Sequence, residues 1–285
     1  MPADARKAAG QLKPPFSYFG GKTRIAGGIA ALLPAHEHYV EPFAGSLAVL
    51  LAKPRSPHET VSDVNRDIMA FWRVLRDRPA ELERACALTP HSRGEYLAAA
   101  GPAEDDVEQA RRTWVRLTQG RSGQLHHLTG WRHYQDPQNS FSMAAYLATY
   151  AGRLAPAAAR LAGVSLECLP ALEVIARYGR HDGVLLYCDP PYLDETRSTA
   201  GSDSYPDEMR GDADHRGLAA ALAGCRAAVV LSGYDSDLYA GLYDGWHRAR
   251  MGGYAGNGTS TRAEVLWSNR PFPRQETLFD GLEAS

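Results

Sequence analysis

The sequence predicts an α/β fold in which a mostly parallel sheet carries helices on both faces and is interrupted by an inserted, mainly helical subdomain. Three observations point there. Strand-length apolar runs alternate with helix-period segments near both ends of the chain. Runs such as "GVLLYC" are apolar throughout, as strands covered on both faces must be. Between residues 79 and 156 strand alternation stops and charged helical segments replace it. The 285 residues, 44 % of them apolar and 22 % charged, suffice for a stable core and do not resemble a disordered chain.

Each element has its own signal. A helix pattern over 23–33 is closed by Pro34. "HYVEPF" reads as a strand, "SLAVLLAK" as a helix, "ETVSDV" as a strand and "NRDIMAFWRVLRD" as a longer helix, a βαβα start. The middle holds "EDDVEQARRTWVRL", a polar Gly/Ser/His-rich loop and the helix-like "SFSMAAYLATYAGRL". Strands return after residue 162 with "GVSLECL", "GVLLYCDPPY", "AAVVLSGY", "WHRARM" and "AEVLWSN", separated by helix patterns over 171–178 and 213–223.

Composition sets bounds on function. No apolar run is long enough to cross a bilayer, and the opening "MPADARKAAGQLK" lacks the apolar stretch of a secretory signal, so a cytoplasmic protein is expected, with no membrane partner. Cys86, Cys168, Cys188 and Cys225 form no Cys-x-x-Cys pair and the histidines show no zinc spacing, so reduced thiols and no metal are expected. The net charge of -2 hides a cluster: residues 111–135 hold five arginines and three histidines with no Asp or Glu, interleaved with Trp114, Trp131 and Tyr134.

Four short motifs carry chemistry. Gly20-Gly21-Lys22-Thr23 looks like the end of a phosphate-binding loop, but that loop requires glycine where Phe16 stands, so a triphosphate site is excluded. Lys22 at a helix start then needs an anion nearby, unless it is a solvated lysine on a surface turn. In "VEPFAGS" the small residues after a strand let a ligand approach the backbone. About twenty residues on, Asp63 in "SDVNRD" is placed to take two ribose hydroxyls, or to cap the following helix. "DPPY" ends an apolar strand in two prolines, which lock the backbone into an extended turn. There Asp189 and the Pro190 carbonyl can both accept from one amino group, and Tyr192 offers a flat face to a planar base; the bland alternative is a simple turn.

In this order the motifs resemble those of the Dam-type family of DNA adenine-N6 methyltransferases, and the resemblance covers most of the chain. "SYFGGK" is similar to that family's aromatic-x-Gly-Gly-Lys motif, "VEPFAGS" to its first cofactor loop, "SDVNRD" to its ribose-binding acid and "DPPY" to its catalytic motif. Tyr205, Met209, "DHRGLAAAL" and "VVLSGYDSDLY" resemble its post-catalytic loop, helix and strand.

The resemblance implies a Rossmann-like methyltransferase sheet built from 1–80 and 160–285, with 81–159 as the inserted target-recognition subdomain. It implies S-adenosylmethionine as cofactor, S-adenosylhomocysteine as product and double-stranded DNA as partner. The implied cofactor site comprises Tyr18, Gly20, Gly21, Lys22, Glu41, Phe43, Gly45, Asp63, Asn65, Cys168 and Asp189, and the implied catalytic set is Asp189, Pro190, Pro191 and Tyr192. With a methyltransferase in view, the arginine-rich block reads as DNA-binding through Arg111, Arg112, Arg116, Arg121, Gln124, Arg132 and His133, against the alternative that Trp114 and Leu117 are core and Arg111 and Arg112 a solvated face.

Two departures from the family pattern stand out. Leu47 occupies the place of the second glycine in the first loop, and Pro170 stands where related chains tend to carry an acid. Separately, Gln275, Leu278 and Phe279 resemble the Gln-x-x-Leu-Phe peptide that docks on the bacterial sliding clamp, an expected second partner unless the tail folds back on its own domain. Rival readings keep the fold but change the acceptor to cytosine N4, RNA adenine or a protein glutamine amide, or make the chain a non-catalytic DNA-binding regulator.

Overall fold

The computed structural model describes residues 11–134, 142–192, 209, 211–251 and 264–273. Seven strands make one sheet in the order β3-β2-β1-β4-β5-β7-β6. The first five are β1 (His38–Glu41), β2 (His58–Ser62), β3 (Ser165–Glu167), β4 (Val184–Cys188) and β5 (Ala228–Tyr234), and they pair in parallel. β7 (Glu264–Ser268) runs antiparallel between β5 and β6 (His247–Arg250). This is the expected α/β architecture, with one reversed strand that apolar content alone does not reveal.

Period-two alternation divides the side chains between two cores. From β4, Leu185 and Tyr187 enter one cluster while Val184, Leu186 and Cys188 enter the other; β5 splits Val230 from Val229 and Leu231 in the same way. Helices α9 (Ala171–Tyr178), α10 (Asp212–Ala223) and α11 (Asp237–Leu242) carry the second cluster. The first lies under α1 (Ala26–Ala31), α2 (Ala48–Ala52) and α3 (Arg66–Asp77), and it continues without a break into the middle of the chain.

There α4 (Pro79–Ala87), α5 (Arg93–Ala98), α6 (Asp106–Gln119), α7 (Met143–Ala151) and α8 (Leu154–Leu161) follow one another. Leu82, Trp114, Leu117, Leu147 and Leu161 share one cluster with Phe71 and Trp72 of α3. Trp114 and Leu117 are therefore core, as the alternative reading of the arginine-rich block had it. The helical segment is braced on the sheet's own covering helices, so its position relative to the strand ends is fixed.

Helix starts obey local chemistry. Asn65 caps α3 by accepting from the N–H groups of Asp67 and Ile68, which frees Asp63 from the capping role weighed for it. Asp105 caps α6 in the same manner, and Ser236 caps α11, a short helix beyond those the sequence patterns signalled. Among the described residues, no helix is long and apolar enough to cross a membrane.

Candidate active site

The chain goes from β1 outward to β2 and β3, then crosses back to β4 on the other side of β1. This reversal opens a crevice at the carboxyl ends of β1 and β4, where ligands of parallel sheets bind. The motifs singled out in the sequence converge there.

On the β1–β2 side the turn after Glu41 is built for close approach. Gly45 has φ of +43°, and a Cβ there would lie 3.0 Å from the Tyr18 ring, so glycine is favoured both by conformation and by space. Its N–H donates to Asp63 Oδ2 (2.8 Å), and the Asn65 N–H donates to Asp63 Oδ1 (2.9 Å). From below, Trp72 Nε1 donates to the Gly45 carbonyl (2.9 Å). Leu47, at φ 54° and ψ 30°, holds the left-handed conformation that glycine takes most easily. The buried Leu47 side chain joins the first core. This departure therefore keeps the turn's backbone and exchanges strain for burial.

Burial raises the Asp63 carboxyl above its usual range, while the two N–H donors pull it down. A carboxylate has about four acceptor positions, and the turn's amides use two, so capacity remains for a diol. Beside it, Leu169 N–H donates to Ser62 Oγ (3.1 Å), which holds the segment containing exposed Cys168 against the end of β2. Pro170 starts α9 without a side-chain cap. Phe43 packs into the second core. Glu41 is set deeper. It is buried and accepts from Tyr39 OH (2.8 Å), and burial, reinforced by the charge of Asp189, pushes its carboxyl up to about 8. It is thus mostly protonated at neutral pH.

On the β4–β5 side Asp189 ends β4 and is held from two directions. Ser232 Oγ on β5 donates to Asp189 Oδ1 (2.9 Å), and Lys22 Nζ lies 2.7 Å from the same oxygen. Lys22 is no solvated surface lysine: it is 6 % exposed, donates to the Gly20 carbonyl (2.9 Å) and sits 4.7 Å from the centre of the Tyr192 ring. Burial alone would lower the lysine's pKa, but Asp189 and then Glu264 outweigh it and raise it, so the ammonium persists. Tyr192 OH donates to Glu264 Oε1 (2.6 Å), and its ring packs against Tyr234 at 4.4 Å. Pro190 and Pro191 are buried beneath this arrangement.

The N-terminal motif owes its position to the helical segment. Trp114 Nε1 on α6 donates to the Pro15 carbonyl (2.8 Å), and Phe19 N–H donates to the Gly123 carbonyl (3.0 Å). Gly123 has φ of +65°, and a Cβ there would meet the Ser17 carbonyl oxygen at 2.8 Å. Lys22 is thereby tied to the loop that follows α6.

The arginine-rich block divides. Arg111 pairs with Glu108 (2.6 Å) and Glu95 (2.8 Å), Arg112 pairs with Glu108 (2.6 Å), and Arg116 lies 3.6 Å from Asp67. Arg132 donates to Tyr146 OH (2.8 Å) and to the carbonyls of Gly120 and Arg121. Gln124 is buried. Arg121 is exposed on the loop after α6, and half-buried His133 stacks on Trp131 at 5.1 Å. Tyr205, Gln275, Leu278 and Phe279 lie outside the described residues.

Ser232 and Glu264 complete the site without having been singled out in the sequence. Both sit on the reversed pairing of β5 with β7, where Tyr234 stands opposite Glu264. Antiparallel β7 begins where parallel β5 ends, so its first residue arrives at the ligand-binding edge.

The family model described as D12 class N6 adenine-specific DNA methyltransferase matches residues 18–251. No curated protein matches the chain. Two structures of the rRNA methyltransferase aviRa from Streptomyces viridochromogenes align over 94 % of this chain and 93 % of theirs at 15 % identity. Their TM-scores of 0.35 and 0.37 are too low to bear on fold or substrate.

Proposed function

The chain belongs to the D12 class N6 adenine-specific DNA methyltransferase family, and on that premise we propose that it methylates N6 of adenine at a specific sequence in double-stranded DNA, acting on a base turned out of the duplex. The observation that carries this reading is Asp189. It is a carboxylate fixed by Ser232 and Lys22 at the end of β4, next to the aromatic face of Tyr192 and across the crevice from the Gly45–Asp63 turn.

The residues present fit S-adenosylmethionine: a carboxylate with acceptor capacity left for a ribose, beside a turn whose glycine keeps the backbone open to close approach. When bound, that group supplies a methyl carbon made electrophilic by its sulfonium. Asp63 holds the sugar end and the 42–47 turn bounds the pocket. Asp189 and the Pro190 carbonyl accept hydrogen bonds from the adenine amine, which directs the nitrogen lone pair and offsets positive charge developing on N6. Tyr192 stacks on the base and replaces part of the stacking lost from the duplex, a cost of a few kcal/mol.

Sequencing of methylated adenines in plasmid DNA from cells expressing the chain, beside an Asp189→Ala control, tests this. Methylation confined to one short motif and absent from the control is the expected result; unmodified DNA from folded protein that binds S-adenosylmethionine would refute it.

We further propose that Arg121 contacts a DNA phosphate, since it is exposed while Arg111, Arg112, Arg116 and Arg132 have protein partners. Arg121→Glu is expected to weaken DNA binding about tenfold and to reduce the salt dependence of log K by about one. A DNA titration at several salt concentrations measures both, and unchanged values would remove Arg121 from the interface.

A further inference from the structure

Glu264 is a carboxylate the proposed chemistry does not use, held where burying one is costly. Its side chain is 11 % exposed, it accepts from Tyr192 OH at 2.6 Å, and it lies 3.7 Å from Lys22 Nζ. Burial drives its pKa up while Lys22 opposes the rise.

Lys22 creates a problem for methyl transfer. Its ammonium sits 2.7 Å from the oxygen of Asp189 that already accepts from Ser232, so it draws negative charge away from the carboxylate that is to accept from the substrate amine. It also places a positive charge where nitrogen gains one during the reaction. Buried and bonded to the Gly20 carbonyl, it cannot withdraw into solvent.

We infer that Glu264 is a positioning residue of the transfer step: its carboxylate compensates the Lys22 ammonium, so that Asp189 keeps its strength as an acceptor, and its hydrogen bond fixes the Tyr192 ring. This rests on the adenine methylation proposed above. With both carboxylates ionised, the Asp189–Lys22–Glu264 group carries a single net negative charge facing the incoming positive charge. Glu264 holds this place through the register of β7 against β5, in which it stands opposite Tyr234.

Glu264→Gln separates charge from shape, because the amide oxygen still accepts from Tyr192 OH while the compensation is lost. At saturating DNA and S-adenosylmethionine, kcat is expected to fall about tenfold or more. Affinity for S-adenosylmethionine should stay within about threefold and thermal stability should hardly change. Glu264→Asp, which restores the charge, should recover part of the rate. A Gln variant within about twofold of wild type, or Gln and Asp variants slowed equally, would overturn the inference.

If the wild-type chain methylates no adenine, it is the functional reading that fails, and the Lys22–Glu264 link is still read in the ligand-free full chain. A double-mutant cycle of Glu264→Gln with Lys22→Met on the unfolding equilibrium should be non-additive by about fivefold or more in the equilibrium constant. Additivity within about twofold would overturn the link.

Discussion

Asp189→Ala is expected to lower kcat for adenine methylation by about a thousandfold, roughly 4 kcal/mol of transition-state stabilisation, with S-adenosylmethionine affinity changed far less. The split follows from geometry. Asp189 ends β4 in contact with Ser232 and Lys22, whereas the groups assigned to the cofactor's sugar, Asp63 and the Gly45 turn, are held by their own hydrogen bonds on the other side of the crevice. Alanine also strands the Lys22 ammonium, leaving Glu264 at 3.7 Å as its nearest carboxylate, so part of any loss of rate can come from loss of fold. Asp189→Asn resolves this. It keeps an oxygen to accept from Ser232 and from the amine but carries no charge, so it should retain more activity than alanine. Steady-state kinetics together with a thermal melt of each variant provides the check. Activity within a few-fold of wild type in the alanine variant would remove Asp189 from the reaction.

The parts of this site that were legible in the sequence share one property: each is a local pattern whose meaning survives without knowledge of the fold. Double proline after an apolar run, small residues after "VEP" and an acid after "VS" announce strand ends wherever the strands are placed. The αL turn at Leu47 was visible as a departure from a glycine pattern, and the structure shows what the departure preserves. Ser232 was not legible because its role depends on which strand lies beside β4, and Glu264 because its role depends on the direction of β7. Read as one more strand in a mostly parallel sheet, the first residue of "EVLWS" belongs at the amino end, far from the chemistry; running antiparallel, it sits beside Tyr192. The arginine-rich block looks different once folded. Its charges were counted within a window free of acids, but α6 folds its arginines onto Glu95, Glu108 and Asp67, which come from before the window.

Glu59→Gln is expected to cost about 3–5 kcal/mol of stability, the range for breaking a buried ion pair from one side. Glu59 on β2 is shared by two buried cations: Arg160 of α8 grips it with both terminal nitrogens (2.5 and 2.7 Å), and Lys53 lies 2.7 Å away. Burial alone would raise its carboxyl, but hydrogen bonds from Arg160 and Lys53 outweigh that and hold it at about 2. The folded value lies below the ordinary 4.5. The stability it contributes is therefore fully present above that ordinary value and is lost as pH falls from about 4.5 towards 2. The glutamine variant keeps the shape and leaves both cations without their carboxylate, so its unfolding free energy should drop at neutral pH and depend less on pH within that window. Urea unfolding of both proteins between pH 2.5 and pH 7 measures this, and an unchanged midpoint at pH 7 would show that the network contributes nothing. Because Glu59 lies near the amino end of β2 and Asp63 follows the strand's other end, S-adenosylmethionine affinity should survive wherever the variant is folded. That sets this prediction apart from the one at Asp189: there the group that contacts the substrate is removed, whereas here stability is removed from a protein whose site is intact.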